Sequence, residues 1–203
     1  MSRDGFIAGG IFALGLAALG GFMLSQTATP ALAEDGPGPN LVIEVGGSAQ
    51  GEIVVDLLPD AAPKHVEQIV SLAKSGAYDD VVFHRVIDGF MAQTGDVENG
   101  NMEKGFNLRR AGTGGSDLPD LPAEFSSVSF DRGVVGMARS MDPNSANSQF
   151  FIMFAPAPHL DGQYTVVGRV VAGMDLVDAI KKGDGPNGAV STPDRMVKVT
   201  VQP

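Results

Sequence analysis

The sequence predicts a mainly β protein: a closed antiparallel barrel accompanied by two helices. Three observations support this. Short runs rich in Val, Ile and Phe recur between Gly- and Asn-rich turns, only two segments carry a helical pattern, and no internal repeat is present. At 203 residues and 43% hydrophobic content, the chain is long enough for one sizeable core.

The N-terminus stands apart from this pattern. Phe6 to Leu24 is an uncharged run of 19 residues, followed by a polar stretch and by Ala31-Leu32-Ala33 ahead of Glu34-Asp35. An apolar core with a small-x-small site predicts a secretory signal peptide over residues 1–33, cleaved after Ala33. An uncleaved N-terminal anchor is the rival, because such a run just spans a bilayer. The first reading places the rest of the chain in the periplasm; the second holds it on the inner membrane facing the periplasm. Cysteine is absent, which fits an oxidising compartment and excludes thiolate metal sites and a cysteine nucleophile. Residues 34–40, with Gly36-Pro37-Gly38-Pro39, read as a linker, and residues 41–203 as the folded domain.

Within the domain, Leu41 to Val45 and Glu52 to Leu58 form a hairpin around Gly46-Gly47-Ser48. A helix follows, with Asp60 near its start and Pro63 in its first turn. Its apolar stripe is Val66, Ile69, Val70 and Ala73, and Gly76 is the stop. Val81-Val82-Phe83 and Phe90-Met91-Ala92 are β-prone runs around an Asp88-Gly89 turn, where Gly accepts a positive φ. Asp96 to Asp120 reads as a long loop. Strands are expected at Gly133 to Ala138, Gln149 to Phe154, Thr165 to Val171 and Met196 to Val201, with a short helix at Asp175 to Lys181.

The chemistry concentrates in Phe83 to Asp96, FHRVIDGFMAQTGD. It sets a cation, Arg85, beside the apolar Phe90 and Met91 and the amide of Gln93. That pairing suits a substrate with a nonpolar ring next to a polar backbone, such as a peptidyl-proline. The plain reading is a strand with a solvated Arg and two core side chains. A net charge of −10 excludes a nucleic-acid binder, which needs a basic stripe. The three histidines, His65, His84 and His159, lack metal-helix spacing, and no Gly-x-Ser-x-Gly elbow occurs. Ser148, His159 and Asp161 form a triad only on paper. Gly112-Thr113-Gly114-Gly115 lacks the Lys-Ser/Thr of a phosphate loop and reads as a loop beside a site. No cofactor or metal is expected.

Taken together with GVVGMAR (Gly133 to Arg139), NSQFFIMF (Asn147 to Phe154) and HLDGQYTVVGRVVAGMDLVDAI (His159 to Ile180), these motifs resemble the cyclophilins in family order. The resemblance runs from about Leu41 to Val201, and LPAEF (Leu121 to Phe125) looks like the bacterial branch. It implies a closed eight-stranded barrel capped by two helices and a peptidyl-prolyl cis-trans isomerase. Arg85 matches the catalytic arginine. Phe90, Met91, Phe151 and Leu160 match the proline pocket, and Gln93 matches the amide that holds the substrate carbonyl. Arg139 matches a main-chain contact, Ala138 and Gln149 line the groove for residues preceding proline, and Ala111 and Gly112 fall at its rim. The implied partners are proline-containing unfolded or flexible polypeptides, with no nucleic acid, and with a membrane only if the N-terminal segment stays uncleaved. A monomer is the default, because no extended apolar stripe is left over.

Three positions depart from the family pattern. His159 stands where many members carry a tryptophan that contacts cyclosporin, so weakened cyclosporin binding is expected; the plain alternative is an exposed loop histidine. Tyr164 replaces a histidine at the groove edge, and Asp88 replaces a frequent proline. His84 reads as structural, since isomerisation needs no general base. The function expected is isomerisation of Xaa-Pro bonds in exported proteins. The rivals are a non-catalytic proline-peptide binding module or holdase of the cell envelope, and a tethered envelope protein with one fixed partner.

Overall fold

The structure is a computed structural model and describes residues 34–203. The predicted signal peptide, or anchor, lies outside the described residues. β1 (Asn40–Gly46) and β2 (Gly51–Leu57) form the opening hairpin, with β1 starting one residue inside the expected linker. The alternation of the sequence sets its register. Ile43 faces Ile53 and Leu41 faces Val55, and all four point into the main core.

Helix α1 (Pro63–Lys74) has Pro63 in its first turn and ends before Gly76, whose φ is +73°. It buries Val66, Ile69 and Ala73 of the expected stripe together with Leu72, His65 and Gln68, while Val70 is only partly buried at the edge of the core. Then come β3 (Val81–Val82), β4 (Arg85–Ile87), β5 (Met91–Thr94), β6 (Val134–Met137), β7 (Phe150–Met153), β8 (Val166–Ala172), α2 (Met174–Ala179) and β9 (Arg195–Gln202). Each strand expected from the sequence is present with ends moved by a residue or two. β4 is the exception, a separate three-residue strand not foreseen between the two β-prone runs.

All nine strands belong to one curled antiparallel sheet in the order β3-β9-β1-β2-β8-β6-β7-β5-β4. This corrects the closed eight-stranded barrel. The terminal strands β3 and β4 share no ladder; they are joined only through the chain at Phe83-His84. The reason is a change of partner: Val81 and Val82 pair with β9, and the Phe83 N–H donates to Asp194 O at 2.9 Å. From Arg85 onward the chain pairs with β5. A strand that turns from one neighbour to another within two residues leaves a seam.

Two apolar clusters fill the molecule. The larger lies between the sheet and the helices and includes Tyr78, Phe83, Met137, Phe150 and Ile152, all essentially inaccessible. The smaller, on the opposite side of β5, β6 and β7, gathers Met91, Phe130, Val134, Phe151, Met153, Leu160 and Val166. It forms the floor of the site.

Candidate active site

The β4–β5 hairpin positions the cation. Gly89, with φ +68°, allows the tight reversal, and Ile87 then faces Met91, Val86 faces Ala92, and Arg85 faces Gln93. Directly opposed residues hold their Cβ atoms within about 5.5 Å, so Arg85 and Gln93 are neighbours by register alone. Arg85 Nη1 donates to Gln93 Oε1 at 3.1 Å, and Arg85 Nε donates to the Asn187 carbonyl at 3.0 Å. The amides continue the line: Gln93 Nε2 donates to Gln149 Oε1 at 3.0 Å, and Gln149 Nε2 donates to Gly114 O at 2.8 Å. Arg85 Nη2 makes no hydrogen bond among the described residues, which leaves a fixed donor at the pocket. Burial lowers the pKa of this guanidinium and Tyr164 opposes the shift, but an arginine starts too high to lose its charge near neutrality.

Beside the arginine is a cavity of about 190 Å³ lined by Arg85, Phe90, Met91, Gln93, Ala138, Arg139, Phe151, Leu160 and Tyr164. Its floor is rigid because Phe130 stacks on Phe151 at 5.8 Å and Tyr164 meets Phe151 edge-on at 5.8 Å. Gly136 makes this packing possible. A Cβ there would come within 2.7 Å of Phe151 and 2.6 Å of Phe130. A second, more polar cavity of about 270 Å³ adjoins it, lined by Gln93, Gly112, Thr113, Gly114, Ala138, Arg139, Ser140, Ser145, Asn147, Ser148 and Gln149. Gln93, Ala138 and Arg139 belong to both.

The structure thus gathers most of the residues singled out in the sequence around two joined cavities. Ala111 lines neither, although its neighbour Gly112 does. His159 lies outside the pocket, exposed, its ring stacked on Phe90 at 6.0 Å. Sequence reasoning missed two groups. One is the Asn187 carbonyl, carried on the turn Pro186–Gly188; a Pro-Asn-Gly signature announces a turn but not its reach to Arg85. The other is Asp96, fully buried, whose Oδ2 accepts from Gly112 N at 2.7 Å and Gly114 N at 3.1 Å while Oδ1 accepts from Asn99 N at 2.8 Å. One carboxylate therefore folds the long loop onto the groove.

His84, beside Arg85, is buried under Gly112, and its pKa is lowered to about 4. Burial dominates; Asp96 and the Val82 backbone pull the other way, and Arg85 adds to the lowering. The ring is neutral near pH 7. The paper triad is not assembled: Ser148 is buried with its hydroxyl donating to Gly95 O, and Asp161 accepts from Phe130 N. Among the described residues, no three His, Asp or Glu side chains gather to hold a metal ion.

The sequence model of the cyclophilin-type peptidyl-prolyl cis-trans isomerases matches residues 41–201. This chain belongs to that family. A probable peptidyl-prolyl cis-trans isomerase of Brucella suis is 65% identical over 153 residues, covering 75% of this chain and 78% of the relative. A peptidyl-prolyl cis-trans isomerase of Arabidopsis thaliana is 36% identical over 158 residues, covering 74% and 90%. Among solved structures, a cyclophilin from Hirschia baltica superposes with a TM-score of 0.67 at 26% identity, covering 83% of this chain and 75% of that one. A cyclophilin-type isomerase of Cryptosporidium parvum, crystallised in the presence of the dipeptide Ala-Pro, shares the fold with a TM-score of 0.67 at 23% identity. It covers 81% of this chain and 99% of that one.

Proposed function

We propose that this cyclophilin accelerates cis-trans isomerisation of Xaa-Pro bonds in exported polypeptides, with Arg85 as the catalytic residue. The observation that carries the reading is the wiring of Arg85. Two of its nitrogens are held by Asn187 O and Gln93 Oε1, the third has no partner among the described residues, and the side chain lines a largely apolar cavity of about 190 Å³.

The barrier to rotation is about 18–20 kcal/mol because twisting the bond breaks amide resonance. In the twisted state the prolyl nitrogen regains a lone pair. A donor fixed beside that nitrogen binds the twisted state more tightly than the planar one, which is the condition for catalysis. Phe90, Met91, Phe151 and Leu160 grip the ring while the Gln93 amide orients the carbonyl side. Residues preceding proline run into the polar cavity past Ala138, Arg139 and Gln149, with Gly112 at its edge and Ala111 just beyond it. A 10⁵-fold acceleration asks for about 7 kcal/mol from these contacts. No bond is made or cut, so the neutral, buried His84 has no proton to carry.

The apolar run and the small-x-small site of residues 1–33, together with the absence of cysteine, support export through a cleaved signal. N-terminal sequencing of the cell-envelope form tests this: a chain beginning at Glu34 supports it, and one retaining Phe6 to Leu24 makes it an anchored protein. His159, stacked on Phe90 instead of a tryptophan, supports weak cyclosporin binding; His159→Trp is expected to tighten it. The central experiment follows exchange of an Xaa-Pro peptide with the protein and with Arg85→Ala. Loss of most acceleration in a folded variant supports the mechanism. Peptide binding by the parent without faster exchange would make the protein a proline-peptide binding module or holdase instead.

A further inference from the structure

The family resemblance gives Arg139 a main-chain contact with substrate and no task for its side chain. In the structure that side chain is fully engaged. Nε and Nη2 both donate to the Gln163 carbonyl, at 3.2 and 2.9 Å, and Nη1 donates to Ser140 O at 2.9 Å. The guanidinium carbon stands 4.4 Å from the centre of the Tyr164 ring. Arg139 follows β6 and Gln163-Tyr164 precede β8, so one side chain spans two loops 24 residues apart.

Tyr164 is half-buried and its remaining aromatic contacts are edge-on, to Phe151 at 5.8 Å and to Phe130 at 6.5 Å. Edge contacts alone leave a surface tyrosine free to swing toward water. A flat cation over the ring, itself pinned at both ends to backbone oxygens, removes that freedom and adds cation–π attraction. The location gives this consequence, because Arg139 lines both cavities and Tyr164 lines the apolar one together with Arg85.

We infer that Arg139 is a positioning residue: its guanidinium ties the loop after β6 to the loop before β8 and holds Tyr164 in place as one wall of the proline pocket. The inference rests on the isomerase reading of the site. It explains why the residue here is Arg: a lysine offers one point charge, with no plane to stack and no rigid fork to meet a single carbonyl twice.

The chain has two tyrosines and no tryptophan. Tyr78 is buried with its hydroxyl on Ser148 O. Fluorotyrosine labelling therefore gives two ¹⁹F resonances, Tyr164 as the probe and Tyr78 as the control on folding. Arg139→Ala is expected to shift and sharpen the Tyr164 resonance alone and to raise the dissociation constant of a proline peptide by ~3–5-fold, the loss expected for a partly exposed cation–aromatic contact. Exchange within the saturated complex should fall by less than binding does, since Arg85 is not in contact with the change. Arg139→Lys should recover little. In a Tyr164→Ala background, Arg139→Ala should weaken binding less than about twofold, because the two act as one unit. Should Arg139→Ala disturb the Tyr78 resonance, Arg139→Gln takes its place with the same readouts. An unmoved Tyr164 resonance, or an equal binding loss with and without Tyr164, overturns the inference. A parent that binds peptide without catalysing exchange overturns the isomerase reading alone, because the ¹⁹F and binding comparisons still decide the role of Arg139.

Discussion

At the scale of single residues, the site depends on one cation with a fixed direction. Arg85→Lys keeps the charge, yet a lysine cannot hold Asn187 O and Gln93 Oε1 while a third nitrogen faces the pocket. The expected loss in kcat/KM is about 10²-fold or more, the cost of removing a preorganised donor, read by Xaa-Pro exchange at a fixed enzyme concentration. His84 makes a different prediction. An unfolded histidine takes its proton near 6.5, and the folded one only near about 4 because burial disfavours the charge. Stability is therefore complete above about 6.5, declines as pH falls through that interval, and is level again below about 4. The total is about 3 kcal/mol for the single group. Urea melts of the parent and His84→Gln across this interval check it; a parent with no decline there would contradict the burial argument. Glu124 acts lower on the pH scale. Burial pushes its pKa up, but hydrogen bonds from the His65 ring and from the His65 and Lys64 N–H groups outweigh that and lower it below the usual carboxylate value.

At the scale of elements, α1 shows how a tertiary contact replaces a local signal. Its N-cap residue, Ala62, has no side chain to offer. Glu124 instead accepts from Lys64 N and His65 N at 3.1 Å each and from His65 Nδ1 at 2.7 Å. An acceptor and a negative charge at a helix start are both stabilising. Glu124→Ala is expected to cost about 2 kcal/mol by denaturant melts while leaving the site residues in place. On the sheet, Gly136→Ala is expected to break the Phe130–Phe151 stack, because the added methyl falls inside both rings' contact distance. Peptide binding should fall more than stability does, since the disturbed cluster is the floor of the proline pocket; titration beside a thermal melt separates the two.

At the scale of the whole molecule, the sheet's seam is held at Asp194, which is 1% exposed. Its Oδ1 accepts from Ser48 N, Ser48 Oγ and Ala49 N, its Oδ2 accepts from Lys181 N, and its carbonyl accepts from Phe83 N. The first hairpin, the end of α2, β9 and the chain leaving β3 meet on this residue. Asp194→Ala leaves the buried Ala49 N–H and the Ser48 and Lys181 N–H groups without their acceptor and is expected to cost about 3 kcal/mol, more than a single surface change, with the urea midpoint as the readout.

Local and periodic features are legible in the order of residues alone. Alternation in Leu41 to Val45 fixed which side chains face the core, Pro63 and Gly76 bounded α1, and Asp88-Gly89 placed the turn that sets Arg85 against Gln93. The ordered motifs gave the family and most of the residues around the pocket. The Asn187 carbonyl that anchors Arg85, the Asp96 carboxylate that folds the loop at Gly112, the Glu124 cap and the seam between β3 and β4 emerge only in the folded chain. The physical reason is common to all four. Each is a hydrogen bond, or a change of hydrogen-bonding partner, between segments far apart in the chain. Such pairings follow from how the packed core brings backbone polar groups together, and no spacing of residue types along the chain records them.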